Sequence, residues 1–266
     1  MTGGPYTRYV ALGDSQTEGL WDGDDTHGIA GFADRLALRI DELWPGLHYA
    51  NLAVRGRRIR DVLDHQLPAA QAMRPDLITS CIGMNDVTRP GRSFDRALND
   101  LDVLHAQLAA TGATVVVTTF PDIAKILPAG RLLGDRVQQI NAVIRAGAIR
   151  HGLLLVDLYP VPSMTDPDIW SPDRVHGSPN GHRLFAEAAA EALGLPGSNH
   201  DWAAARPDVL VPGLRSRMYS QALWAQNMLM PWIWRHLRGR SAANGRGPKR
   251  PTLQPVSQAR ELSEAE

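Results

Sequence analysis

Short apolar runs of five to eight residues alternate with longer amphipathic stretches over the first three quarters of the 266-residue chain. The runs show little polar alternation, which is typical of strands that are buried on both faces of a parallel sheet. We therefore predict five strands, at residues 8–12, 47–54, 76–82, 114–119 and 153–158.

Between these runs, apolar side chains recur at helical spacing, as in the series Val137, Ile140, Ile144 and Ala148. The pattern predicts helices at residues 30–43, 59–73, 94–110, 133–150 and 180–193. Because strands and helices alternate, we expect an α/β domain of three layers, with helices on both faces of a mostly parallel sheet.

The composition changes after residues 195–198, and the change predicts three parts. Residues 1–198 form the α/β domain, and residues 199–240 form a Trp- and Arg-rich extension that is α-helical or irregular. Residues 241–266 are rich in Gly, Pro, Ser and charged side chains, and such a segment buries too little apolar surface to fold alone. We therefore expect a disordered tail there.

Within the extension, residues 219–234 would be apolar on nearly every side if they formed a helix. Pro231 would kink that helix. Two alternatives remain open. The segment packs back onto the domain as a covering helix, or residues 215–240 make a peripheral membrane or homo-oligomer contact, for which Trp flanked by Arg is a suitable composition.

Charge balance and cysteine content bear on the partners and on the cellular compartment of the protein. The chain has 28 Lys and Arg and 28 Asp and Glu, and this balance argues against nucleic acid as a partner. Its one cysteine, Cys81, forms no intrachain disulfide, so no oxidising compartment is required. The N-terminus lacks the pattern of a signal peptide, and no apolar run is long enough to span a membrane. We expect a cytoplasmic protein.

Clusters of charged residues do not predict a metal or a cofactor. The loop with Asp22, Asp24 and Asp25 lacks the glycine and the distant glutamate of a calcium loop. The nine histidines are not spaced as metal ligands. A basic cluster follows the second predicted strand and comprises Arg55, Arg57, Arg58 and Arg60. It is interpreted either as an anion-binding surface or as the solvated start of a helix.

The candidate chemistry begins where the first predicted strand ends, at Ser15. Ligands of open α/β sheets bind at the carboxyl ends of the strands. A serine hydroxyl is a weak nucleophile that needs a base, and the base needs an orienting group. Asp173 and His176 lie three residues apart on a Pro- and Gly-rich loop and would supply both. The alternative is that Ser15 only caps a helix.

Four short blocks appear in a fixed order along the chain. They are Gly13-Asp14-Ser15, the stretch from Asn51 to Gly56, Gly83-Met84-Asn85-Asp86, and Asp173-x-x-His176. With these blocks the chain resembles the SGNH hydrolase superfamily, also called GDSL-type esterases. Gln16 stands where the leucine of the GDSL name is found, at a position that the superfamily keeps loosely.

The resemblance implies a flavodoxin-like sheet of five parallel strands and a serine hydrolase that cleaves carboxylic esters through an acyl-serine intermediate, without a cofactor. It implies Ser15 as nucleophile, His176 as base and Asp173 as its orienting group. It also implies an oxyanion hole formed by the backbone N–H groups of Ser15 and Gly56 and by the side-chain amide of Asn85.

The blocks do not select the ester. Carbohydrate O-acetyl esterases, lysophospholipases and acyl thioesterases all occur in the superfamily, and a binding module that has lost its activity is the alternative of another class. All the block residues are present, which favours an enzyme acting on a small-molecule ester. We expect His182 to be structural and Asp86 to orient its loop.

Overall fold

A computed structural model describes residues 4–24, 26, 28–89, 91–127, 130–206 and 245–256. Its centre is a six-stranded sheet, in which the strands lie in the order β5-β4-β3-β1-β2-β6. The strands are β1 (Arg8–Gly13), β2 (His48–Asn51), β3 (Leu77–Cys81), β4 (Thr114–Thr118), β5 (Leu154–Val156) and β6 (Arg250–Pro255).

The first five strands are parallel, and they confirm the prediction of a mostly parallel sheet. β1 lies between β3 and β2 and is buried along nearly its whole length. β2 is shorter than predicted because the chain turns away from the sheet after Leu52, whose N–H still bonds to Ala11 at 2.9 Å. The carboxyl ends of β1, β2 and β3 therefore meet at one edge of the sheet.

Helices cover both faces of the sheet. Helix Phe32–Leu43 packs against helix Pro179–Ala192, and helix Arg92–Ala109 packs against helix Gly134–His151. Right-handed crossovers between parallel strands place these two pairs on opposite faces. The three-layer α/β/α architecture is thus confirmed, and the apolar core lies between the layers.

Shorter elements connect these layers. The remaining α-helices are Ser15–Glu18, Ile59–Asp61, Leu67–Met73, Met84–Val87 and Ile123–Ile126. Turns of 3₁₀-helix lie at Gly130–Leu132, Pro162–Thr165, Pro167–Ile169 and Asp201–Ala203. The short strands Gly23–Asp24 and Gly28–Ile29 pair antiparallel. The predicted helix at 59–73 contains a π-helical stretch, Val62–Gln66.

The strand β6 differs from the sequence-based expectation of a disordered tail at 241–266 and of a five-stranded sheet. It runs antiparallel to β2 and forms an edge of the sheet, where Pro251 and Pro255 are tolerated because one side of an edge strand needs no partner. Val256, directly after it, is 3% exposed. This stretch is ordered because it packs against the apolar surface of the domain, although its own sequence has little apolar surface.

An ion pair fixes the start of β6. Lys249 Nζ lies 2.6 Å from Asp34 Oδ2 and 2.8 Å from the carbonyl of Ile29. The guanidinium of Arg250 lies 5.4 Å from the ring centroid of Tyr49 on β2. Side-chain contacts thus supplement the backbone pairing and set its register.

Much of the predicted extension lies outside the described residues. Its first residues form the 3₁₀ turn Asp201–Ala203, and Trp202 in this turn is buried. Residues 219–234, for which a covering helix or a membrane or subunit contact is expected, belong to the part that is not described. Among the helices that the structure does describe, none has the length and apolar character needed to cross a membrane.

Candidate active site

The turn after β1 positions Ser15. Gly13 has a φ of +151°, and a Cβ there would lie 2.3 Å from the carbonyl oxygen of Cys81 and 2.4 Å from Thr17 Oγ1. Only glycine fits this position without displacing its neighbours. Asp14 then caps the helix Ser15–Glu18, since its Oδ1 accepts the N–H of Gln16 at 3.2 Å. Ser15 is therefore the first residue of a helix at the carboxyl end of a central strand.

Gln66, which the sequence analysis did not single out, holds the backbone just before this turn. Its Nε2 donates to the carbonyl of Gly13 and its Oε1 accepts the N–H of Gly13, both at 2.8 Å. The pairing of β1 with β2 ends at Ala11, so Gly13 has no strand partner on that side. Gln66 replaces that partner from within the π-helical stretch, a local geometry that often occurs at functional sites.

A tight loop carries Asp173 and His176. The N–H of Ser171 bonds to the carbonyl of His176 at 2.9 Å, which closes the loop. Asp173 Oδ1 accepts hydrogen bonds from Ser171 Oγ at 2.7 Å, from the N–H of Val175 at 2.8 Å and from the N–H of His176 at 3.0 Å. The loop's own backbone thus fixes one oxygen of the carboxylate.

The three predicted residues form one continuous hydrogen-bonded row. His176 Nδ1 lies 2.7 Å from Asp173 Oδ2, and His176 Nε2 lies 2.7 Å from Ser15 Oγ. Burial alone would raise the pKa of Asp173, but the hydrogen bonds and the charge of His176 outweigh it and hold this pKa well below its usual range. An ionised Asp173 orients the ring with Nδ1–H towards itself and leaves Nε2 to accept the serine proton.

Asn85 and Gly56 lie beside this row. The Nδ2 of Asn85, in the short helix after β3, donates to Asp14 Oδ2 at 3.0 Å and to the carbonyl of Arg57 at 2.9 Å. Gly56 has a φ of +80° in the turn after β2. Its neighbour Arg55 is tied to Glu18 of the helix Ser15–Glu18, with the N–H of Arg55 2.6 Å from Glu18 Oε2. All four sequence blocks therefore meet at one corner of the sheet.

Comparisons with known proteins agree with this geometry. The sequence profile of the GDSL-like Lipase/Acylhydrolase family matches residues 11–184, which include all four blocks. The chain belongs to this family. It is accordingly a carboxylic ester hydrolase of the SGNH type, as the resemblance implied.

Solved structures share the fold. LAE5, an alpha/beta hydrolase enzyme from the metagenome of Lake Arreo in Spain, is 25% identical over 73% of this chain and 97% of its own, with a TM-score of 0.58. Axe2, an acetylxylan esterase from Geobacillus stearothermophilus, is 20% identical over 75% and 97%, with a TM-score of 0.60. The acetyl xylan esterase AlAXEase is 19% identical over 70% and 99%, with a TM-score of 0.58. No curated protein matches the chain.

Two further carboxyls near Ser15 are perturbed by burial. Burial raises the pKa of Asp14 to about 7, and the hydrogen bonds from Gln16 and Asn85 only partly offset it. Burial likewise raises the pKa of Asp86 to about 6. Asp86 Oδ2 accepts the N–H of Ile59 at 3.1 Å, so this carboxyl connects the helix Met84–Val87 to the start of the helix Ile59–Asp61. This contact fits the expected orienting role of Asp86.

His182 does not reach Ser15. It is fully buried, its Nε2 lies 3.1 Å from the carbonyl of Leu20, and its Nδ1 accepts the N–H of Phe32 at 3.3 Å. Burial lowers its pKa to about 4, and burial lowers the pKa of His105 to about 4 as well. Both rings are thus neutral in the folded state near neutral pH.

These two buried rings predict a loss of stability in acid. Because their pKa values rise from about 4 to the ordinary value near 6.5 on unfolding, the unfolded chain binds more protons between these limits. The free energy of unfolding should therefore fall as pH decreases from about 6.5 to about 4, by up to roughly 3 kcal/mol per ring. Urea unfolding at several pH values measures this slope.

The histidine variants separate this effect from general acid denaturation. His182→Gln removes one titrating ring and should flatten the slope, even if it lowers stability at neutral pH. His48→Gln, which replaces an exposed ring, is the control and should retain the wild-type slope. An unchanged slope in His182→Gln would contradict the assigned cause.

The charged clusters are mostly paired internally. The side chain of Arg55 bonds to Glu18 with both groups largely buried, and Arg57 and Arg60 pair with carboxylates on the following helical turn. Asp22 accepts two hydrogen bonds from Arg35, both at 2.9 Å. These pairs favour a structural role for both clusters. Within the described ranges, no three His, Cys, Asp or Glu side chains are grouped to hold a metal ion.

Proposed function

We propose that this chain hydrolyses small O-acyl esters through an acyl-enzyme on Ser15, with His176 as base and Asp173 as its orienting group. One observation carries the proposal: the two 2.7 Å contacts that link Ser15 Oγ, His176 and Asp173 in a row. A serine that served only as a helix cap would not need a half-buried imidazole aligned on its oxygen.

The reaction follows from that row. Ser15 Oγ attacks the ester carbonyl carbon while its proton passes to His176 Nε2. The tetrahedral intermediate then collapses, and the leaving alcohol takes this proton from His176. Water attacks the acyl-serine and gives a proton to the same nitrogen. The second collapse releases the carboxylic acid and returns the proton to Ser15 Oγ.

The oxyanion needs donors that are already in place when charge develops. We assign this role to the N–H groups of Ser15 and Gly56 and to the amide of Asn85. Ser15 lies at the N-terminus of a helix, and Gly56 lies in a turn whose two flanking residues are tied to Glu18 and Asn85. In the resting state Asn85 bonds to Asp14 and Arg57, so it must share or exchange one of these bonds when the oxyanion forms.

For the acyl group we propose acetate, on a carbohydrate hydroxyl. Support comes from the two solved structures of the same fold that are described as acetyl xylan esterases. The family implies a small-molecule ester as substrate. A cytoplasmic location remains a proposal, which cell fractionation would test.

The test combines a substrate profile with trapping of the acyl-enzyme. Hydrolysis rates are measured on p-nitrophenyl acetate, butyrate and octanoate and on acetylated xylo-oligosaccharides. Acid quenching during turnover of the acetate ester, followed by peptide mass spectrometry, should find an acetyl group on the peptide that contains Ser15. A fluorophosphonate probe should label wild type but not Ser15→Ala.

The outcomes are distinct. The fastest turnover on acetate esters, with acetylation on Ser15, supports both the mechanism and the substrate class. Faster turnover on octanoate would overturn the substrate class and leave the nucleophile assignment standing. Labelling that persists in Ser15→Ala would place the nucleophile elsewhere.

A further inference from the structure

Trp21 is an exposed aromatic residue that contacts the catalytic row. Its indole Nε1 lies 2.7 Å from Asp173 Oδ2, the same oxygen that faces His176 Nδ1. The residue is nevertheless 39% exposed. An exposed tryptophan usually gains little from a hydrogen bond that water could also supply, so this contact calls for a specific reason.

The backbone at Trp21 is held in an unfavourable conformation. Its φ is +74°, in the left-handed region that side chains other than glycine rarely adopt. Glycine at this position would relieve the strain, yet the chain has its bulkiest side chain there. Strain of this kind persists only where neighbouring contacts impose it.

Contacts of the residues on both sides of Trp21 impose this backbone conformation. The N–H of Leu20 bonds to the carbonyl of Ser15 at 3.0 Å, and the carbonyl of Leu20 lies 3.1 Å from Nε2 of the buried His182. On the C-terminal side, Arg35 donates two hydrogen bonds to the carboxylate of Asp22, and the backbone carbonyl of Asp22 accepts the N–H of Ala30 at 2.8 Å. The indole is therefore aimed at Asp173 by a loop that begins at the nucleophile itself.

We propose that Trp21 is a positioning residue for the hydrolysis described above, and that it acts through Asp173. Backbone N–H groups of the loop around His176 donate to Oδ1 of this carboxylate, whereas the indole of Trp21 donates to Oδ2, beside the ring of His176. The indole N–H also withdraws charge from Oδ2, so it reduces the stabilisation that Asp173 gives to protonated His176. The inference rests on the proposed roles of His176 and Asp173.

The test substitution, Trp21→Phe, removes the indole N–H and keeps an aromatic ring. In Trp21→Phe, Oδ2 loses a donor and becomes more basic, so protonated His176 is stabilised. The acidic limb of kcat/KM should therefore move to higher pH, by about half a unit. We expect kcat to fall about tenfold, because the ring of His176 is less well oriented, and KM to change less than twofold.

Two comparisons separate positioning from a structural role. Trp202→Phe is the matched control, because Trp202 also donates its indole N–H to a carboxylate, that of Glu191, at the opposite end of helix Pro179–Ala192 from His176. It should leave the pH limb unchanged. Trp21→Gly relieves the backbone strain, so it should keep or raise the thermal midpoint while kcat falls at least as far as in Trp21→Phe.

A spectroscopic readout does not depend on turnover. The proton between His176 Nδ1 and Asp173 Oδ2 should give a low-field proton resonance that is absent in His176→Ala, and Trp21→Phe should move it further downfield. An unmoved resonance and an unmoved pH limb would overturn the proposal. A several-fold rise in KM with both signals unchanged would make Trp21 a substrate-binding residue instead. Failure of Ser15→Ala to lose activity would refute the proposed function and the role of Trp21 with it, whereas loss of activity in Ser15→Ala with both signals unmoved in Trp21→Phe would refute the role of Trp21 alone.

Discussion

His176→Ala is expected to lower kcat on an acetate ester by about 10⁴- to 10⁶-fold. The reason is that Ser15 Oγ bonds to His176 Nε2 at 2.7 Å, and without this acceptor the serine proton has no destination as the hydroxyl attacks. The loss should fall on kcat, because the imidazole is required for the chemical steps rather than for binding. Steady-state kinetics on p-nitrophenyl acetate measures both parameters.

The competing histidine provides the control. His182→Gln should lower kcat less than about tenfold, because its ring bonds to Leu20 and Phe32 and not to Ser15. Its main effect should be a lower free energy of unfolding, since a fully buried ring is replaced by a smaller side chain. If His182→Gln were the inactive variant and His176→Ala the active one, the assigned base would be wrong.

The sequence predicted the parts of this molecule that have local signatures. Buried parallel strands appear as apolar runs, so β1 and β3 to β5 were located to within two residues at each end. Ser15, Asp173 and His176 were predicted as a set because their chemistry requires each other, and the fold brings them within hydrogen-bond distance. These predictions needed no knowledge of contacts between distant segments.

The features that were missed depend on distant contacts. β6 has two prolines and little apolar character, so its own sequence predicts no strand, and only the edge of β2 makes it one. Gln66 lies in a run with helical periodicity, which hides both the π-helical stretch and its two bonds to Gly13. Trp21 was passed over because nothing in its neighbourhood of the sequence indicates Asp173, which lies 152 residues away.

Asn85→Ala is expected to lower kcat by about 10²- to 10³-fold. Deleting the amide removes one of the three assigned oxyanion donors, and such a donor contributes most when the negative charge is present in the transition state. KM should therefore change little. The measurement is again kcat and KM on p-nitrophenyl acetate, together with the thermal midpoint, because Asn85 also links Asp14 to Arg57 in the resting state.

That link offers a rival explanation, which a second pair of variants tests. If Asn85 served only to satisfy the buried carboxyl of Asp14, then Asp14→Asn would disturb the same contact and should reduce kcat as strongly as Asn85→Ala. If Asn85 donates to the oxyanion, Asp14→Asn should cost much less, since the amide of Asn85 remains. Thr88→Val removes a hydrogen bond to the backbone carbonyl of Asn85 and serves as the control for small shifts of its helix. A large rise in KM in Asn85→Ala, with kcat preserved, would make Asn85 a substrate-binding residue and leave the oxyanion to the two backbone N–H groups.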